Sequence, residues 1–172
     1  AEVLAGKIAY TARSSCKPSG VPDFMAFIVE PIYFIHAPKE VLMIYSGDAQ
    51  TRHVYMNVPH SKNPKPSWYG ESVGHWEGNT LVVDAKGFND QSWFDRAGNF
   101  HSDALHVVER YTPRGNDVLM YEATIEDPMT FSRPWKISMP LYRRLDKNMQ
   151  LLEFKCQEFV EELLYGQYRK KQ

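Results

Sequence analysis

Along much of the chain apolar and polar positions alternate, the period-2 signature of strands with one buried face. "VLMYEATIED" is the clearest case: Leu119, Tyr121, Ala123 and Ile125 fall on one side, and Met120, Glu122, Thr124 and Glu126 on the other. Such runs come in pairs around turn residues. "VLMIYSGDAQTRHVYMN" folds about Gly47-Asp48, and "VGHWEGNTLVVD" about Glu77-Gly78-Asn79. "ALHVVERYTPRGNDVLMYEATIED" turns over Pro113 to Asp117, and "WKISMPLYRRLDKNMQLLEFKCQE" over Arg144 to Asn148. Four hairpins predict eight strands in a mainly β fold. A meander of that size hides its edges best by closing into an antiparallel up-and-down β-barrel, with an open sandwich of the same strands as the competing arrangement.

Two segments fall outside the alternation. "QEFVEELLYGQYRK" places Phe159, Val160, Leu163 and Leu164 at helical spacing with Glu161 and Glu162 opposite, predicting a C-terminal amphipathic helix laid across the barrel. "VPHSKNPKPSWYG" is rich in proline and polar residues and reads as the connector between the second and third strands.

With 172 residues, 43% of them hydrophobic, and no internal repeat, the chain predicts one domain over 1–172 with a core of its own. A net charge of −1 gives no electrostatic footprint for nucleic acid or an anionic membrane, and no apolar run approaches the length of a membrane span. The sequence starts at Ala1 rather than Met, which fits removal of a signal peptide and a periplasmic or secreted location. In an oxidising compartment Cys16 and Cys156 are then expected to pair; two separate buried thiols are the alternative.

Candidate chemistry concentrates between residues 74 and 111. In "ALHVVERY" Leu105, Val107, Glu109 and Tyr111 alternate with Ala104, His106, Val108 and Arg110, so each face mixes apolar and ionisable groups. Polar side chains on an inner face need hydrogen-bond partners or a ligand. From Gly87 to Phe100 the chain crosses between hairpins by a connection long for a meander, carrying Asp90, Trp93, Asp95 and Arg96. Its aromatic residues predict a lid folded over a barrel end. His101 and Asp103 share a face if the chain there is extended, a base with its orienting carboxylate, while Asp90 and Asp95 form a candidate acid and base pair. Trp76 and Trp135 are expected mainly in the core.

"WYGESVGHWEGNTLVVDAKGFND", "WFDRAGNFHSDALHVVERY" and "YEATIEDPMTFSRPW" resemble the motifs of a family of small bacterial proteins, commonly exported and mostly described as hypothetical. The likeness runs from about Ser15 to the "LLEFKCQE" region. His101, Asp90 and Asp95 match the family pattern, which often has arginine in place of His75 and sometimes another basic residue in place of His106. The barrel also looks like the calycin (lipocalin-like) type, which includes both ligand carriers and enzymes.

The chain has no Gly-x-Ser-x-Gly elbow, no phosphate-cradling loop and no His-Glu-x-x-His, so common hydrolase, nucleotide and zincin signatures are absent. His101 and His106 are an odd number apart, on opposite faces of an extended segment; neither a metal nor another cofactor is expected. These residues predict a cofactor-independent acid-base enzyme of isomerase, cyclase or lyase type, acting on a small hydrophobic or aromatic molecule in the barrel. The expected catalytic groups are His101, Asp95, Asp90, Glu109 and His106, with Trp93, Trp76, Tyr111 and Arg96 binding substrate. The alternatives are a carrier or sensor of a small apolar ligand, which needs the same cavity without an acid and base, and an interaction domain docking through the aromatic loop.

Overall fold

The computed structural model describes residues 15–26, 31–45, 50–94, 98–150 and 156–168. Among these, eight strands form one sheet in chain order: β1 (Ile32–His36), β2 (Glu40–Tyr45), β3 (Gln50–Met56), β4 (Glu71–Glu77), β5 (Thr80–Lys86), β6 (His106–Pro113), β7 (Val118–Glu126) and β8 (Trp135–Tyr142). The helical elements are short: α1 (Asp23–Ala26), α2 (Val160–Tyr165) and a 3-10 turn at Gly166–Tyr168. The sheet curls into a half-barrel with β1 and β8 at its edges.

Three of the expected hairpins are present as β2–β3, β4–β5 and β6–β7. The β4–β5 turn uses Gly78 at φ 61°, the left-handed region that costs glycine little. The fourth hairpin is not described as such. Its first strand is β8, and residues 151–155 of its second lie outside the described residues. The remaining strand is β1, from "PIYFIHAP", whose flanking prolines and short length give a weak strand pattern.

The sheet is mixed, which corrects the antiparallel meander. β3 and β4 run parallel, with Val54 opposite Ser72, Tyr55 opposite Val73 and Met56 opposite Gly74. A parallel pair needs a crossover that returns the chain to its starting end, and residues 57–70 supply it. Asn57 turns the chain at φ 57° and donates its N–H to the Gly74 carbonyl at 2.7 Å. Gly74 lets the strands approach, because a Cβ there would stand 2.8 Å from Val54 Cγ1.

The concave face holds the core. Val41 and Met43 of β2, Val54 of β3, Leu81, Val83 and Ala85 of β5, Val107 and Tyr111 of β6, and Tyr121, Ala123 and Ile125 of β7 are buried there. The opposite positions Glu122 and Glu126 are exposed, so β7 keeps the alternation expected of it. The 87–105 segment is anchored by Phe88, Phe94 and Leu105, all buried, and by a bridge between Trp93 and Phe100. Of the aromatic residues expected to turn inward, Phe94 is buried and Trp93 half-buried, but Phe100 is exposed, and residues 95–97 lie outside the described residues. α2 does not pack by the face expected of it: Val160, Leu163 and Leu164 are exposed.

Cys16 and Cys156 form a disulfide, 140 residues apart in sequence. Cross-linking so long a loop restricts the unfolded chain strongly, and replacing both cysteines with serine is expected to cost about 2–4 kcal/mol. Urea unfolding of oxidised wild type against the double variant measures it; coincident midpoints would show that the bond constrains neither state.

Candidate active site

The outer face of β4 to β7 brings together four titratable groups that no sequence motif links. Strand alternation puts Glu71 of β4, Asp84 of β5, His106 of β6 and Glu126 of β7 on that face. Register then sets their spacing. His106 is directly opposite Glu126, and Asp84 is opposite Val108, which makes His106 its diagonal neighbour. His60, from the 57–70 crossover, inserts between Glu71 and Asp84. The crossover is held along the end of β5 by Ser67, whose N–H bonds the Gly87 carbonyl at 3.1 Å and whose carbonyl accepts from Asn89 N–H at 2.9 Å.

The result is an alternating chain of carboxylates and imidazoles. His60 Nδ1 is 3.0 Å from Glu71 Oε1, and His60 Nε2 is 2.8 Å from Asp84 Oδ1. His106 Nε2 is 3.0 Å from the same Asp84 oxygen, and His106 Nδ1 is 3.8 Å from Glu126 Oε2. Ser61 completes the first carboxylate, its N–H and hydroxyl both donating to Glu71 at 2.7 and 2.5 Å. The two His60 contacts are simultaneous hydrogen bonds when both ring nitrogens carry protons. Asp84 accepts N–H from His106 Nε2, which leaves Nδ1 as the nitrogen free to exchange a proton; it has no hydrogen bond among the described residues.

Burial works against ionisation of Asp84, but hydrogen bonding from His60 and the proximity of His106 outweigh it and hold the carboxyl below its ordinary range. Glu71 is held low chiefly by the Ser61 hydroxyl, against a smaller opposing effect of burial. His60, Asp84 and His106 line an open cleft of about 560 Å³ together with Lys62, Lys86 and Asp103. No group of three or more ligating side chains positioned to hold a metal ion occurs among the described residues.

A second cluster lies inside the half-barrel. Arg52 Nη2 meets Glu109 Oε2 at 2.5 Å and Ser72 Oγ at 3.0 Å, and Arg52 Nε also bonds Ser72 Oγ, at 3.1 Å. Tyr111 and Tyr121 both donate their hydroxyls to Glu109 Oε1 at 2.9 Å. Burial, then the nearby Glu109 charge, raises both phenols well above their ordinary range, so they remain donors. For Arg52, burial is the largest single effect and pulls the other way, but the charge and hydrogen bond of Glu109, with Tyr111 and Tyr121, together outweigh it and keep the guanidinium charged. Both side chains of the ion pair are fully buried, and Arg52 Nη1 has no hydrogen-bond partner among the described residues.

The expected site residues therefore divide among several places. His106 is in the outer cleft, while Glu109 and Tyr111 are in the sealed interior. His101 is buried between Phe88 and Phe94, donating Nδ1–H to the Ser102 carbonyl at 2.8 Å and accepting the Ser92 hydroxyl at Nε2 at 2.7 Å. It is not paired with Asp103, which is exposed: a turn closed by Leu105 N–H on the Ser102 carbonyl breaks the extended geometry that pairing required. Asp90 is exposed and Trp93 half-buried; Asp95 and Arg96 lie outside the described residues. Trp76 is exposed rather than in the core, stacked on His36 at 5.4 Å, because it sits near the open end of β4. Trp135 packs against the core, as expected. Sequence reasoning missed His60, Asp84 and Glu71. The alternation of β5 places Asp84 outward, but nothing local ties it to a histidine in a proline-rich connector.

Asp127 fastens the 98–105 segment to the end of β7. It accepts the Ser102 N–H at 2.6 Å, the Ser102 hydroxyl at 2.8 Å and the Met129 N–H at 3.1 Å. Burial opposes its charge, but these donors win and depress its pKa. A carboxyl depressed on folding adds stability above its unfolded value, about 4, and loses it as pH falls through the lower folded value. Wild type is therefore expected to lose stability more steeply than Asp127→Asn as pH drops below about 4. Parallel urea titrations check this, and equal slopes would remove Asp127 from the account.

Comparison of the chain with models of known families, with curated proteins and with solved structures gives no match.

Proposed function

We propose that this protein is a cofactor-independent acid-base enzyme that moves a proton on a small molecule bound in the outer cleft. The reading rests on one observation: His60 and His106 share a single oxygen of Asp84 in an open cleft. A general base needs a defined tautomer, an orienting partner and access to substrate. Asp84 supplies the first two for His106, whose side chain is 37% exposed. Asp84 and Glu126 flank the ring, 3.0 Å from Nε2 and 3.8 Å from Nδ1. His60, itself held by Glu71, fixes Asp84 from the other side. Isomerisation, cyclisation and elimination all begin with such a transfer, and the calycin-like barrel of the sequence reading would serve as its rigid support.

The test is deuterium incorporation into a panel of small enolisable ketones and oxo acids in D2O, followed by proton NMR. Wild type should exchange at least one of them and His106→Gln should not. Equal exchange by both proteins would reject the site. The carrier reading has separate support in Arg52 Nη1, a buried donor in the half-barrel interior without a partner among the described residues. Native mass spectrometry of the purified protein distinguishes it, because a carrier retains its ligand.

A further inference from the structure

We propose that the cleft selects small molecules bearing a terminal oxyanion, a carboxylate or a phosphate, and that Lys62 and Lys86 hold it; the proposal rests on the acid-base reading of the same cleft. The argument is one of uncommitted charge. Of the groups lining the cleft, Asp84 is engaged by two imidazoles and His60 by two carboxylates. Lys62 and Lys86 also line it and make no ion pair among the described residues. The remaining charged lining group is Asp103, exposed and likewise without an ion pair there. The cleft lining thus carries two lysines without an ion pair among the described residues, and of its two carboxylates, Asp84 and Asp103, the first is already taken up by the imidazoles.

The two lysines come from different elements, Lys62 from the 57–70 crossover and Lys86 from the end of β5. Gly87, next to Lys86, lies against Pro64 of the crossover, where a Cβ would meet the proline ring at 2.9 Å. This contact holds the two lysine-bearing segments side by side. An oxyanion bound between them gains charge-assisted hydrogen bonds in a recess. It would also fix the substrate relative to His106. Asp103, on the same rim, would repel a dianion more than a monoanion and set an upper limit on ligand charge.

The experiment is a titration of the intact protein with inorganic phosphate and, separately, with benzoate, at constant ionic strength. Imidazole resonances of His60 and His106 report the cleft, and those of His53 and His75 serve as remote controls. Saturable shifts at His60 and His106 are expected with at least one anion, and the one that binds identifies the oxyanion. Lys62→Gln and Lys86→Gln should each weaken binding about three- to fivefold, as expected for exposed charge pairs, and the double variant about tenfold or more. Both lysines are exposed, so the variants should fold. Absence of saturable shifts with either anion, or a double variant that binds like wild type, would overturn the proposal. Anion binding by a protein that exchanges no substrate proton would keep the oxyanion site and reject the acid-base reading. Proton exchange unaffected by loss of both lysines would do the reverse.

Discussion

Asp84→Asn is expected to slow proton exchange by about 100-fold or more while leaving the fold intact, the scale on which acid-base groups act. The substitution changes little in size, and the Asp84 side chain is 38% exposed, so packing is not at stake. What changes is the charge of the acceptor. The carboxylate oxygen Oδ1 receives N–H groups from both His60 and His106. An asparagine oxygen can still accept both, but it is neutral, and charge-assisted hydrogen bonds are roughly twice as strong as neutral ones. His106 is then held less firmly in its tautomer and orientation. His60→Gln should have a smaller effect, because His60 acts on His106 only through Asp84. The two variants are told apart by pH dependence: His60→Gln should keep a single-group profile with a lower plateau, whereas His106→Gln should abolish the profile. Full activity in Asp84→Asn would show that the charge of the shared oxygen plays no part in the chemistry.

Local pattern made the hairpins legible, because a strand pair with a tight turn is specified within about twenty residues. β6 also disclosed its oddity. Glu109 and His106 break a run of β-branched residues on opposite faces, and both are in polar clusters, one inside and one outside. The parallel β3–β4 pair was not legible, since a proline-rich connector specifies an interruption but not the direction of return. That single topological fact places His60. Without the crossover, the histidine of "VPHSK" has no neighbours to argue from, and Asp84 reads as an ordinary outward carboxylate. His101 and Asp103 failed for the opposite reason: an extended chain was assumed where Ser102 to Leu105 form a turn. The aromatic residues of the 87–100 connection indicated inward packing only in part, since Phe94 is buried and Phe100 exposed. Phe88 and Phe94 account for the burial of His101 between rings.

The interior pair should respond to mutation differently from the cleft. Glu109→Leu is expected to destabilise the fold by about 3–5 kcal/mol, the cost of leaving a buried charge without its partner. Among the described residues Arg52 then keeps only Ser72 as a hydrogen-bond acceptor, and the Tyr111 and Tyr121 hydroxyls lose the oxygen to which both donate. Arg52→Met should cost a comparable amount by stranding the carboxylate, softened by the two phenols that still donate to it. The double variant Arg52→Met/Glu109→Leu removes both charges at once and should recover much of the loss, since no ion then remains unpaired. Urea unfolding of the four proteins closes the cycle. Additive losses would mean that each group is satisfied independently, by water or by another partner, and that the half-barrel interior is wetter than its buried side chains indicate. Recovery in the double variant would instead show that the two charges depend on each other and that the interior offers neither of them a substitute partner.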